Sequence, residues 1–170
     1  SNNLPVTAPC NLTPATKSFA RFRISTAGAL PANGVAADGE VEDSTVVLRG
    51  VDFGDAPAPY PTLFAANGAR HVVTGSGPVL GLAPDSEPNG QPTLGANGDD
   101  LTGLDDEDGV VFTSPVIPGQ NATVTVTASA PGLLQAWIDF DADGDFTTAG
   151  DAIFIDQALV AGPNSLLFAV

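Results

Sequence analysis

Apolar and polar residues alternate with period two along much of this chain. Ala20, Phe22 and Ile24 alternate with Arg21 and Arg23, which predicts a strand with one buried face. Thr123-Val-Thr-Val-Thr127 alternates without a break and places Val124 and Val126 inward. Leu134, Ala136, Ile138 and Phe140 alternate with Leu133, Gln135, Trp137 and Asp139. Shorter strand-like runs lie at Thr45–Arg49, His71–Thr74, Val79–Leu82, Val110–Thr113, Ala152–Ile155 and Ser165–Val170. Gly, Pro, Asn and Asp clusters separate them, which is turn chemistry. No stretch of useful length repeats its apolar residues at helical spacing. The pattern predicts an all-β fold, an antiparallel β-sandwich of jelly-roll or Ig-like type with long loops.

Two stretches interrupt the alternation. Gly50–Asn67 is rich in Pro and Gly and reads as a linker or a structured connection between two halves. Ala83–Asp108 is long, acidic and poor in strand signal, and a loop of that length inside a compact domain needs an organising agent. The expected division is residues 1–50 as the end of one β-module and 51–170 as a β-sandwich module with acidic loops.

Charge changes the picture. All twenty acidic residues fall in five clusters: Asp38/Glu40/Glu42/Asp43, Asp52/Asp55, Asp85/Glu87, Asp99/Asp100 with Asp105–Asp108, and Asp139–Asp156. Lys17, Arg21, Arg23, Arg49 and Arg70 oppose them, leaving a formal net charge of -15. Packed carboxylates repel and resist desolvation unless a cation sits between them. Hard oxygen donors in number favour Ca²⁺. The same acidity argues against nucleic acid and against charge-driven binding to an anionic membrane, and no apolar run is long enough to insert into a bilayer. An apolar fraction of 43% is too high for a disordered acidic tail.

The lone Cys10 cannot form an internal disulfide, so calcium is the expected cross-link. Millimolar free Ca²⁺ is an extracellular condition, which sets the expected location as secreted or cell-surface. No signal peptide is visible and the sequence does not open on Met, as expected of a processed or excised segment. Asn11-Leu-Thr13 and Asn121-Ala-Thr123 are glycosylation sequons at Asn11 and Asn121, of use only in a source that glycosylates.

The strongest chemical signal is Asp139–Asp151. Asp139, Asp141 and Asp143 occupy positions 1, 3 and 5 of an EF-hand-like loop, with Gly144 at the turn and the Asp145 carbonyl at position 7. The closing acid of an EF-hand falls at position 12, here Gly150, with Asp151 one residue late. The flanks are strand-like, so the loop sits on a β-scaffold. The alternative is an acidic hairpin turn without metal. Six carboxylates, Asp99, Asp100, Asp105, Asp106, Glu107 and Asp108, form a second candidate for one or two ions, with Asp85 and Glu87 able to complete it; a solvated charged loop is the alternative. Asp38, Glu40, Glu42 and Asp43, with Asp52 and Asp55, are further candidates. Glu40 and Glu42 can instead pair with Arg21 and Arg23 across a sheet.

Catalysis finds little support. His71 is the only His, no G-x-S-x-G turn is present, and few aromatics are available for stacking on sugars beside paired acids. The expectation is a protein that is not an enzyme.

Several words recur together: Gly39-Glu40-Val41-Glu42-Asp43, Asp52-Phe-Gly-Asp55-Ala-Pro57, Gly68-Ala-Arg-His71, Gly98-Asp-Asp100, Asp105-Asp-Glu-Asp108-Gly109 and Ala136-Trp-Ile-Asp-Phe140. From about Phe19 to Val170 the chain resembles the GEVED-domain proteins, large secreted or surface-attached bacterial proteins with tandem β-rich modules. It departs from them at Ser44, where the family motif carries Tyr. The resemblance implies an extracellular, calcium-rich, repetitive architecture without known enzymatic chemistry. It also implies a permuted order, because Ala20–Ser25 and Gly39–Asp43 resemble words that close such a module. Joined tail to head, Val170 followed by Ser1 makes a continuous module. The unit is then one repeat cut at an arbitrary phase, or a subunit whose ends complete its neighbours.

Together these readings predict a calcium-stabilised structural subunit or repeat of an extracellular filament or surface fibre, assembling head to tail with copies of itself. Leu166, Leu167, Phe168, Ala169 and Val170 are the expected assembly strand, since left unpaired they would expose a sheet edge. The rival readings are a surface adhesin or carbohydrate-binding module, and an accessory domain of a secreted enzyme.

Overall fold

A computed structural model describes residues 16–100 and 107–170, apart from the side chains of Thr16 and Glu107. The described chain is all-β. Its strands are β1 (Thr16–Ile24), β2 (Glu40–Leu48), β3 (Val51–Phe53), β4 (Arg70–Val72), β5 (Val110–Phe112), β6 (Asn121–Ala128), β7 (Gly132–Trp137), β8 (Ala152–Leu159) and β9 (Gly162–Ala169). They form four antiparallel sheets, β1-β2, β3-β4, β5-β6-β9 and β7-β8. Two short 3₁₀ turns, Phe64–Ala66 and Glu107–Gly109, are the only helical pieces among the described residues, and no helix there is long and apolar enough to cross a membrane.

The core follows the alternation of β6. Ala122, Val124, Val126 and Ala128 are buried, while the Thr residues between them are half-buried. Phe168 of β9 and Phe154 and Leu159 of β8 close over them, and Leu134 and Ala136 of β7 pack against this cluster. The Phe154 and Phe168 rings meet edge to face at 5.9 Å, and Phe112 meets Phe168 in the same way at 6.3 Å, a favoured aromatic geometry. On β7, Leu133 and Trp137 face outward as the alternation predicts. Phe140 does not continue the inner face. β7 ends at Trp137, and Phe140 lies exposed in the following loop.

The structure corrects three expectations and decides between two readings of a fourth stretch. The C-terminal strand is not left unpaired. Asn121 to Ala128 of β6 pair with Ala169 to Gly162 of β9, and Phe168 is in the core. Of the two readings of Gly50–Asn67, the structured connection fits, because the stretch contains β3, which pairs with β4. Val79–Leu82 makes only a bridge, Leu80 to Ala128, rather than a strand. The apolar face of β1 is not buried. Phe22 is 63% exposed and Ile24 is 68% exposed, because β1 and β2 pair with each other and with no other described strand.

Candidate metal centres

Strands β7 and β8 are neighbours in one sheet, so the chain between them must return over a short span. Ile138 N donates to Asp151 O at 2.8 Å and closes the base of that loop. Within it, carboxylate oxygens of Asp139, Asp141 and Asp143 lie within 4.8 Å of one another. The loop's amides hold them there. Asp143 N donates to Asp139 Oδ1 and Asp141 Oδ1, Gly144 N to Asp139 Oδ2, and Asp145 N to Asp143 Oδ1. The Asp145 side chain is committed elsewhere, accepting from Thr147 N and Thr147 Oγ1. Its carbonyl is the atom that the EF-hand-like spacing assigns to a metal.

Asp151 lies outside that 4.8 Å group but close enough for its charge to act on Asp141. It is only 2% exposed. Its Oδ1 accepts from Phe140 N at 3.5 Å, while its buried Oδ2 accepts no hydrogen bond from the described residues. Burial and the neighbouring charge of Asp143, with smaller contributions from Asp139 and Asp151, push the Asp141 carboxyl up. A hydrogen bond from Tyr60 pulls the Asp139 carboxyl down, and those from Thr147 pull Asp145 down. Like charges gathered in this way repel one another, and a cation between them would relieve the repulsion.

A second segment clamps the loop. Tyr60 OH donates to Asp139 Oδ2 at 2.7 Å, and the Tyr60 ring stacks on Phe146 at 4.9 Å. Gly144 has φ 91°, and a Cβ there would overlap the ring of Pro59. The residue must therefore be Gly for both conformation and space. No local signal in the sequence marks Tyr60 as part of this site, since 79 residues separate it from Asp139.

The Asp85 and Glu87 cluster and the Asp99 cluster also converge. Carboxylate oxygens of Asp85, Glu87 and Asp99 lie within 4.8 Å of one another, with Glu87 and Asp99 buried. Asp55 does not supply a free carboxylate to them. Its Oδ1 accepts from Gln91 N and its Oδ2 from Asp99 N. Asp55 thus positions the backbone that carries Asp99. Asp52 is near enough to raise the Glu87 carboxyl, which burial foremost pushes up to about 8.

The remaining acids have other work. Asp108 Oδ1 accepts from Leu82 N and fixes a loop. Asp38 accepts from Thr26 N and Thr26 Oγ1 across the turn between β1 and β2. Asp43 takes both Arg21 Nε and a terminal Arg21 nitrogen, at 2.8 and 2.7 Å. The expected pairing of Arg21 and Arg23 with Glu40 and Glu42 is therefore corrected. The register sets Glu40 opposite Ile24 and Glu42 opposite Phe22, and sets Asp43 opposite Arg21. Arg23 instead donates to the carbonyls of Pro31, Asn33 and Gly34. Asp100 is half-buried and its amide donates to Asp99 Oδ1. His71 is exposed opposite Asp52. Asn121 is exposed at the start of β6. Asn11, Asp105, Asp106 and the Glu107 side chain lie outside the described residues.

Compared with protein-family models, with curated proteins and with solved structures, the chain matches none. The GEVED resemblance rests on its motif words.

Proposed function

We propose that the chain is a calcium-stabilised structural subunit, or tandem repeat, of an extracellular filament or surface fibre, and that copies join through the β1-β2 hairpin. The observation that carries this reading is the hairpin's exposed apolar surface. Phe22 and Ile24 lie exposed on one face, with Phe19, Val41 and Val47 exposed on the other. An isolated two-stranded hairpin is marginal in water, and apolar side chains on both of its faces call for a covering partner.

A second copy fits that role. Lys17, Arg21 and Arg23, three of the five cations, sit on β1. Four of the twenty acids precede residue 51, leaving sixteen in residues 51–170. Residues 1–50 balance four cations with these four acids, so the hairpin meets the body of another copy without the repulsion that two bodies would feel. The body also has sheet edges to offer, since β5 and β9 flank β6 and β7-β8 has only two strands. Strand addition to such an edge supplies backbone hydrogen bonds and pockets for alternate side chains. A heterologous contact that does not close into a ring builds a filament. Calcium in the Asp139 loop holds the acceptor body rigid, and an extracellular medium supplies that calcium.

The adhesin or carbohydrate-binding reading calls for a strip of exposed aromatics on one sheet face. The exposed aromatics on the described strands are Phe19 and Phe22 on opposite faces of β1, Phe112 on β5 and Trp137 on β7, which are spread over three sheets and form no strip. Assembly is therefore the better reading.

The test is the full chain carrying Phe22→Ser and Ile24→Ser, examined in millimolar calcium by light scattering and electron microscopy. The expected result is loss of filaments with an unchanged melting temperature for the body. Filaments like those of the unaltered chain, or an unaltered chain that stays monomeric in calcium, would overturn the proposal.

A further inference from the structure

A buried carboxylate with an unused oxygen marks a second site, remote in sequence from the Asp139 loop and independent of the assembly reading. Glu87 is 5% exposed. It is locked onto β3 twice, by Glu87 N donating to Val51 O at 3.0 Å and by Glu87 Oε2 accepting from Phe53 N at 2.9 Å. Its Oε1 is buried and accepts no hydrogen bond from the described residues, and neither does the adjacent Ser86 Oγ. No Lys or Arg among the described residues pairs with Glu87. A buried carboxylate oxygen left in that state is costly.

The surroundings are built to aim further oxygens at the same place. Asp55 uses both carboxylate oxygens to hold Gln91 N and Asp99 N. Gly98 is buried and packs so closely that a Cβ there would overlap the Gln91 carbonyl. These contacts fix the backbone on both sides of Asp99. They bring its carboxylate to within 4.8 Å of the ligand atoms of Asp85 and Glu87. Three carboxylates from two separated segments thus crowd negative charge around the unused Glu87 oxygen.

We propose that Asp85, Glu87 and Asp99 bind one hard divalent cation, calcium in a calcium-rich medium, which clips the 85–99 loop onto β3. Carboxylates without soft ligands select a hard ion, and the adjustable coordination of calcium suits a set drawn from loops. The ion performs the organising task that a loop of this length requires, tying segments together where the only ladder contact is the isolated bridge of Val51 and Glu87.

The test counts ions. Calcium bound per chain is measured by equilibrium dialysis on the unaltered protein, on Glu87→Gln and on Asp141→Asn. The expected result is one ion fewer in Glu87→Gln, with that ion retained in Asp141→Asn. An unchanged count in Glu87→Gln, whose neutral amide imitates a protonated Glu87, means that a proton occupies the centre and overturns the proposal. A loss confined to Asp141→Asn leaves the loop reading standing and removes this one. If Glu87→Gln does not fold, long-wavelength anomalous diffraction from crystals of the unaltered protein grown with calcium decides. A peak between Asp85, Glu87 and Asp99 supports the site, and a map with calcium only elsewhere rejects it.

Discussion

Tyr60 donates its hydroxyl to Asp139 Oδ2 at 2.7 Å, tying the Pro-rich segment after β3 to the first acid of the β7–β8 loop. That bond is the foremost reason the Asp139 carboxyl sits below its ordinary range. It keeps the group ionised and fixes its direction. Tyr60→Phe should therefore weaken calcium binding at the loop about fivefold, corresponding to about 1 kcal/mol for one hydrogen bond to a charged acceptor near solvent. Calorimetric titration of both proteins checks this, and equal affinities would refute it.

Gly144→Ala should destabilise the chain more than Gly150→Ala. Both glycines have positive φ, 91° and 115°, which costs a side chain about 1–2 kcal/mol. Only at Gly144 does the new Cβ also overlap Pro59, while Gly150 opens on free space. The overlap adds about 1–3 kcal/mol, so Gly144→Ala should lower the melting temperature by roughly 10 °C. Thermal melts of the two variants in calcium distinguish them; equal shifts would mean that Pro59 yields.

The sequence made the core strands legible because β6, β7 and β9 each bury one face against the others. Val124 and Val126 needed only the period-two rule. The same rule failed on β1, where Phe22 and Ile24 alternate as if for a core that the described fold does not provide. Periodicity reports a face to be covered, and says nothing of which molecule covers it. The Asp139 loop was legible because its ligands are local. Tyr60, Pro59 and the roles of Asp55 and Asp108 were not, since each depends on contacts between residues distant in the chain. Clustering in sequence also overstated the number of free carboxylates. Asp38, Asp43, Asp55 and Asp108 spend theirs on amides, a hydroxyl and a guanidinium.

Removal of calcium should lower stability. At free calcium near 100 times the dissociation constant, one site contributes about 2.7 kcal/mol by linkage. Asp151→Asn should reduce the difference between melts in calcium and in EDTA, because the buried Asp151 Oδ2 accepts no hydrogen bond from the described residues. An unaltered protein whose melting temperature is the same in calcium and in excess EDTA would exclude a structural role for the metal.

The hairpin should loosen in acid. Hydrogen bonds from Thr26 hold the Asp38 carboxyl below its ordinary value of 3.8, and one from Arg21 does the same for Asp43. A depressed carboxyl contributes stability that is present above the unfolded pKa and is lost as pH falls through the folded one. The contribution is therefore complete at neutral pH, begins to fall below about pH 4, and is lost as pH drops through the lowered folded values. Amide exchange at Thr26 should be slow at pH 6 and faster, after correction for intrinsic rates, at pH 3. Asp38→Asn should show much of that loss already at pH 6.

Deletion of residues 166–170 should unfold the body rather than merely block assembly. The deletion removes Phe168 from between Phe112 and Phe154 and takes Leu166 and Val170 from beside the core. It also strips Asn121 to Val124 of β6 of their partners on β9. Loss of one buried Phe alone costs about 3–5 kcal/mol, a large part of the 5–15 kcal/mol that holds a typical domain. The expected outcome is a truncated chain without a cooperative melt, aggregating without regular filaments. The Phe22→Ser and Ile24→Ser chain should differ, keeping its melt while losing its filaments, because those side chains stand outside the core. A truncated chain that melts like the unaltered one would show that β9 is dispensable to the body and would return the assembly role to Leu166–Val170.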